Sequence, residues 1–401
     1  MRPFRETIRV EDAKALTLEA ATPVDRVERI SLSDASGRVL AVSVESQIDV
    51  PPFDRAAMDG YAVIAADTFG ASRDNAKPLR LIHTSYSGDA AGRPISNSEC
   101  VEIATGAPLP EGADAVVMVE ETDKTNESVR IFAPVYPGQH VGKRAADIAK
   151  GQPVVSSGTV LNPGKLGALA AIGTTMIDVY VRPRVAILST GNEIIEPGQP
   201  LGPGQIYNIN RFTLASIIEQ HGGTVTVGDT VPDTLPDLVA AIRRNASADL
   251  IIFSGGSSVG ERDLMLDALQ QTGEVIFHGV AVKPGKPTLL GKVGTTPVLG
   301  MPGNPTSCLS NAYLLVIPML RRMARLPPYE SRTMRVPLAR RIVSTTGRHQ
   351  FYTVRVIDGA AVPAFKGSGD ITSMAHADGY FEIPAKIDIV EAGEMVDVTL
   401  F

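Results

Sequence analysis

Between Arg184 and Met323, short apolar runs of strand character alternate with helical stretches, and glycine-bearing loops with charged or hydroxyl side chains follow the runs. Strands are expected at Val185–Leu188, Thr224–Val227 and Leu250–Phe253, and helices at Arg211–His221, Leu235–Asn245 and Arg262–Thr272, with a closing helix from Thr306 to Met323. A βαβ alternation of this kind implies a mostly parallel sheet whose loops gather at the strand carboxyl ends, where ligand crevices form. Four loops stand out: Ser189-Thr190-Gly191-Asn192-Glu193, Ser254-Gly255-Gly256-Ser257-Ser258-Val259-Gly260, Lys283-Pro284-Gly285-Lys286-Pro287 and Gly300-Met301-Pro302-Gly303-Asn304-Pro305-Thr306-Ser307. Glycine lets backbone N–H groups approach a phosphate or oxyanion, helix starts add positive potential, and the paired lysines supply full charges.

These segments also have plain structural readings. The Ser254 loop lies between a strand and a helix, so its amides suit a phosphate or pterin and Asp263 suits a divalent ion, but glycine also permits a simple turn. Proline stiffens the chain around Lys283 and Lys286, which lowers the cost of ordering both charges around one dianion. Thr306 and Ser307 stand at a helix start, where their hydroxyls can cap amides or donate to an anion. Asp54 and Asp59 flank a tight apolar turn and read equally as turn caps. Glu193 and Asp233 stand where strands end, as crevice carboxylates do. Arg348 after Gly347, and Ser368 within Lys366-Gly367-Ser368-Gly369-Asp370, read as turns from the residues alone.

With 401 residues the chain exceeds one ordinary core, so several domains are expected. A net charge of −6 provides no global positive field for a nucleic-acid backbone, so anion binding must be local. Cys100 and Cys308 are the only cysteines, and none of the 6 histidines has metal-ligand spacing, which argues against zinc and disulfides and leaves any divalent ion to carboxylates. The charged start Met1–Ile8 lacks the apolar run of a signal peptide and no stretch reaches membrane-spanning length, so a cytoplasmic protein is expected. Glu11 to Arg29 reads as an amphipathic helix, and Phe53–Met118 as a small β module with strands at Gly60–Ile64, Leu79–Thr84, Val101–Ala104 and Ala115–Val119. A helix over Lys165–Ile172 has Asn162 as its cap and Pro163 at its first position. After Leu326-Pro327-Pro328, strands at Thr333–Leu338, Phe351–Val356, Tyr380–Ile383 and Met395–Leu400 predict a C-terminal β domain.

Taken together, these segments resemble the molybdopterin molybdenumtransferase family, which includes the E domain of gephyrin. The resemblance runs over Phe53-Asp54…Ala57-Met58-Asp59-Gly60-Tyr61-Ala62, Thr105-Gly106-Ala107-Pro108-Leu109-Pro110, Ser189–Glu193, Gly204-Gln205-Ile206-Tyr207-Asn208…Asn210, Ser254-Gly255-Gly256, Lys283–Pro287 and Gly303-Asn304-Pro305. It implies a multidomain α/β plus β fold: a segmented helical and extended arm (1–50 and 143–181), an inserted β domain (51–142), a parallel-sheet molybdopterin-binding α/β domain (182–326) and a C-terminal β barrel (327–401). The activity implied is insertion of molybdate into adenylyl-molybdopterin with release of AMP, assisted by Mg²⁺, in a homodimer whose subunits share each active site. An upstream molybdopterin adenylyltransferase is an implied partner.

By position, the resemblance gives catalytic roles to Asp59, Asp263, Lys283 and Lys286, and metal contacts to Asp263 and Glu193. Lys283, Lys286, Ser307, Arg348 and Ser368 would hold molybdate. Glu193, Asp233, Gly255, Gly256, Ser258, Pro302 and Pro305 would face the pterin and AMP, joined by Thr105 and Asp147 which, like Asp59, would arrive from the partner subunit. The chain departs from the family pattern at three places. Gly279, beside His278, replaces a basic residue four positions before Lys283; Lys143-Arg144-Ala145-Ala146 precedes Asp147 in place of an Arg-Gly-Glu run; and Asn192 replaces a frequent Asp. A non-catalytic scaffold and a pterin- or nucleotide-binding module with another hydrolytic activity are the competing readings.

Overall fold

The computed structural model describes residues 7–227, 230–255 and 263–401. The chain divides into two compact units, Met1–Glu28, Gly37–Val39 and Val179–Phe401 forming one, and Arg29–Ser36 and Leu40–Asp178 the other.

In the first unit a six-stranded sheet runs in the order Thr224–Val227, Arg184–Ser189, Leu250–Ser254, Thr296–Met301, Leu289–Val293, Glu274–His278. The first four strands are parallel; Leu289–Val293 runs antiparallel to both its neighbours, and the edge strand Glu274–His278 again runs with the first four, so the expected mostly parallel sheet contains one reversed strand. Successive side chains of a strand point to opposite faces, and both faces here are apolar. Val185, Ile187, Leu250 and Ile252 join one core cluster with Leu214, Ile218, Leu315 and Leu320, while Ala186, Leu188, Ile251 and Phe253 join another with Leu238, Ile242, Met265 and Leu269. Helices Asn210–Gln220 and Ile317–Met323 therefore cover one face, and Leu235–Arg244 and Leu264–Thr272 the other.

The expected closing helix is interrupted. Pro305–Asn311 is α-helical, Ala312–Val316 is a π-helical turn, and Ile317–Met323 is α-helical again. Pro318 has no N–H to donate, and a widened turn accommodates that missing bond. The N-terminal helix is shorter than its periodicity suggests: it covers Val10–Ala20, and Val27–Ser31 is strand. Pro23 disfavours helical geometry at Thr22, which ends the run.

The C-terminal strands Thr333–Pro337, His349–Ile357, Gly379–Ile383 and Met395–Leu400 form a further sheet, with Ala360–Pro363 paired to His349–Ile357. Its last member comes from elsewhere in the chain: Val282–Lys283 pairs parallel to His349–Ile357, with Lys283 opposite Gln350. Val336, Val354, Phe381, Ile383 and Val398 fill its core.

The second unit contains a six-stranded sheet in the order Ala115–Met118, Gly60–Val63, Glu99–Ile103, Lys77–Ser85, Ser128–Ile131, Thr122–Lys124. Tyr61, Val63, Cys100 and Val117 pack on one face, and Ala62, Val101, Ile103 and Val116 on the other. Both cysteines of the chain are buried and free, and burial pushes each thiol up to about 12. Among the described residues no helix is long and apolar enough to cross a membrane.

Helix Pro163–Ala171 starts as its sequence directs, with the Lys165 N–H donating to Asn162 Oδ1 at 3.0 Å and Pro163 in the first turn. Asn162→Ala removes that acceptor and is expected to cost about 1 kcal/mol locally. Amide hydrogen exchange within Pro163–Ala171 should then quicken by roughly fivefold, while the core strand Leu250–Ser254 stays unchanged.

Candidate functional site

The three central parallel strands end side by side. Ser189 is in register with Ser254, and Ser254 with Met301, so the loops beginning at Thr190, Gly255 and Pro302 leave one edge of the sheet together. The ladder continues one step beyond them, with Thr190 N–H donating to Ser254 O at 3.0 Å and Gly255 N–H to Met301 O at 3.2 Å. Gly255 has φ +102°, and a Cβ there would lie 2.3 Å from the Thr190 carbonyl oxygen, so only glycine fits. Gly256 and Ser258 lie outside the described residues.

Two asparagines tie these loop starts together. Asn210 Nδ2 donates to Ser254 Oγ at 2.7 Å and to Gly303 O at 2.8 Å, while buried Asn208 donates to Ser189 Oγ at 2.9 Å and to Glu196 Oε1 at 3.0 Å. None of these four bonds is visible in the sequence. Asp233 is brought to the same edge: Val231 N–H donates to Ser189 O at 2.7 Å, and the Thr190 hydroxyl donates to Asp233 Oδ1 at 3.3 Å. Glu193 is exposed, and its carboxylate passes close to the Gly191 Cα, where a Cβ would stand 2.8 Å away.

Asp263 caps helix Leu264–Thr272, with the Leu266 N–H donating to Oδ1 at 3.1 Å. Its Oδ2 lies 2.9 Å from His278 Nε2, so the histidine beside Gly279 faces the carboxylate expected to meet a cation. Among the described residues no three His, Cys, Asp or Glu side chains assemble into a metal-binding group.

The lysine loop is held from two sides. Lys283 Nζ donates to Thr345 Oγ1 at 2.6 Å, and Asn311 Nδ2, from the helix Pro305–Asn311, donates to Gly285 O at 2.9 Å and Thr288 Oγ1 at 2.5 Å. Lys283, Lys286 and Arg348 are all half-buried, and Arg348 closes a turn in which its N–H donates to Thr345 O at 3.3 Å. Gly347, at φ +74°, makes that turn possible.

Ser368, a bare turn residue by sequence, is brought against the Gly303–Ser307 loop. Asn304 Nδ2 donates to Ser368 Oγ at 3.1 Å, and Thr306 N–H to Ser368 O at 3.1 Å. The Thr306 hydroxyl donates to Asp370 O at 2.8 Å and does not cap its helix; Pro302 and Ser307 are buried, and Pro305 is the first helical residue. The lysine loop, the Thr345–Arg348 turn, the helix from Pro305 and the Ser368 segment thus form one hydrogen-bonded set. It presents cations and hydroxyls, the donor types that hold a tetrahedral oxyanion.

In the second unit Asp59 and Thr105 come together, with the Thr105 N–H and hydroxyl both donating to Asp59 Oδ1, at 2.7 and 2.8 Å. The backbone donor foremost, and then the hydroxyl, hold the Asp59 carboxyl below its usual range. Asp54 instead pairs with Lys143 at 2.8 Å and accepts from the Arg144 N–H, which is a structural bond. Asp147 is exposed, its N–H donating to Val50 O at 3.0 Å.

Known proteins match along the whole chain. The family described as "MoeA N-terminal region (domain I and II)" matches residues 8–173, the "Probable molybdopterin binding domain" matches 186–322, and "MoeA C-terminal region (domain IV)" matches 335–401. A Mycobacterium tuberculosis protein named molybdopterin molybdenumtransferase 2 is 36% identical, with 99% of each chain covered. A Haemophilus influenzae molybdopterin molybdenumtransferase is 32% identical, with 98% of each covered. The crystal structure of a molybdopterin biosynthesis MoeA protein from Pyrococcus horikosii superposes with a TM-score of 0.86 at 38% identity, over 98% of this chain and 99% of that one.

Gly255→Ala and Gly294→Ala both force a side chain into positive φ, but only the first meets a carbonyl, since nothing lies within 4 Å of the Gly294 position. The dihedral alone is expected to cost about 1–3 kcal/mol in each. Urea titration of both variants should find Gly255→Ala the less stable, and equal stabilities would contradict the close approach to Thr190.

Proposed function

The chain belongs to the MoeA family of molybdopterin biosynthesis proteins, and from that membership we propose that it is a molybdopterin molybdenumtransferase, inserting molybdate into adenylyl-molybdopterin and releasing AMP. The observation that carries the reading is the hydrogen-bonded set of loops around Lys283, within a chain that aligns end to end with relatives of that name. On this reading Lys283, Lys286, Arg348, Ser307 and Ser368 hold the oxyanion, two ammonium groups and a guanidinium balancing its charge and the hydroxyls fixing its orientation. Gly255, Gly256, Ser258, Glu193, Asp233, Pro302 and Pro305 face the pterin and its phosphates at the carboxyl edge of the sheet. Such a site works mainly by positioning: molybdate is held near the dithiolene sulfurs that receive the metal, and half-buried cations stabilise the charge that develops as the phosphoanhydride is cleaved and AMP leaves.

Mg²⁺ is part of the proposal. Asp263 and Glu193 would hold it, one or two carboxylates being what Mg²⁺ usually takes from a protein, with waters and substrate phosphates as its other ligands. When bound, the ion would supply charge neutralisation on the pyrophosphate. His278, 2.9 Å from Asp263 Oδ2, orients that carboxylate, and the Leu266 N–H holds its other oxygen. A homodimer with Asp59, Thr105 and Asp147 contributed across subunits also belongs to the reading, as do a cytoplasmic location and supply of substrate by a molybdopterin adenylyltransferase. We further assign the domains as an arm (1–50 and 143–181), a β insertion (51–142), a pterin-binding α/β domain (182–326) and a β barrel (327–401).

Purified protein given adenylyl-molybdopterin should release AMP only with both molybdate and Mg²⁺, and Asp263→Asn and Lys286→Ala should each slow release by about a hundredfold or more. AMP release without molybdate or Mg²⁺, or none at all despite tight pterin binding, would overturn the transferase reading. Mixing inactive Asp59→Asn and Lys286→Ala proteins tests the shared site: random subunit exchange should restore about a quarter of wild-type activity, since half the dimers are mixed and each has one intact site. No recovery after demonstrated exchange would confine each site to one subunit.

A further inference from the structure

We propose that Thr345 is a further oxyanion-binding residue, its hydroxyl directed onto the ligand by Lys283. The inference rests on the proposed oxyanion role of Lys283 and Arg348. An ammonium group has only donors, so at 2.6 Å the Thr345 oxygen must accept from Lys283 Nζ. The Thr345 O–H then points away from the lysine, and among the described residues it has no acceptor. A hydroxyl that accepts from a cation and has its proton available is a strong donor to an anion, because each bond polarises the other.

The backbone keeps this hydroxyl beside both cations. Thr345 and Arg348 are the ends of one turn, closed by the Arg348 N–H to Thr345 O bond and made possible by Gly347 at φ +74°. The base of the turn is anchored by two buried side chains, Ser344 donating to Gln350 Oε1 at 3.0 Å. Gln350 is in turn the register partner of Lys283, so the lysine and the turn share one stretch of sheet. Thr345 is only half-buried, which leaves its donor accessible to a ligand. Thr345 is the first of two adjacent threonines before Gly347, and it becomes informative only through the lysine that reaches it from 62 positions away.

Isothermal titration calorimetry with molybdate alone, on the full-length protein, tests the assignment. Thr345→Val keeps the shape and loses the hydroxyl, and should bind molybdate roughly tenfold more weakly, as expected for a hydrogen bond to a charged group. Thr345→Ala should behave likewise, Thr345→Ser should restore wild-type affinity, and melting temperatures should agree across the set because the residue is not in the core. Wild-type affinity in Thr345→Val and Thr345→Ala, with binding lost in Lys283→Ala, would overturn the role of Thr345 and leave the oxyanion site standing. No molybdate binding by the wild-type protein, or undiminished binding by Lys283→Ala, would overturn the oxyanion reading and this inference with it.

Discussion

The two-residue strand Val282–Lys283 hydrogen-bonds to His349–Ile357 in the C-terminal sheet, while two residues later the chain is clamped by Asn311 from the helix that closes the α/β sheet. Lys283 is thereby fixed by backbone pairing, and Gly285 by a buried amide so close that any Cβ would stand 2.4 Å from Asn311 Nδ2. Long lysine side chains lose substantial rotamer entropy when ordered, and a rigid backbone beneath them lowers what remains to be lost on binding. The Thr345–Arg348 turn meets this junction at Lys283, while the Ser368 segment bonds to Asn304 and Thr306 at the start of the same helix that carries Asn311, so the cations and hydroxyls of the first unit depend on how the sheet and that helix are held.

Electrostatics explains why such a junction is needed. The chain carries a net −6, so it offers an anion no general attraction. Positive charge has to be concentrated by structure, in half-buried lysines and an arginine whose surroundings screen them less than bulk water does. Around them the polar groups pair as donors and acceptors: Asn210 holds Ser254 and Gly303, Thr306 holds Asp370, and Asp263 accepts from its own helix. At Asp59 the same logic runs with opposite sign, two donors from Thr105 keeping the carboxylate charged.

Much of the architecture was legible in local chemistry. Apolar runs such as Leu250–Phe253, their alternation with helical stretches, and the Asn162-Pro163 helix start all depend on residues near one another in the chain, and they fold as that chemistry requires. Periodicity failed where a local breaker overrode it, at Pro23 after the first helix and at Pro318 within the last. The loops at the sheet edge were legible as well, because a glycine such as Gly255 marks a backbone close approach wherever it follows a strand.

The sequence by itself determined the layered α/β core, the β modules before and after it in the chain and the glycine-bearing loops that follow its strands, since each follows from side-chain periodicity and turn chemistry within a few residues. Only the tertiary structure decided that Lys283 belongs to the C-terminal sheet, that Ser368 lies against Asn304, that Asn311 and Asn210 are the clamps, and that His278 faces Asp263. Those pairings join residues from 15 to 93 positions apart. No local pattern encodes such separations: a hydrogen bond at that distance forms only after the sheet register and helix packing have brought its two partners together.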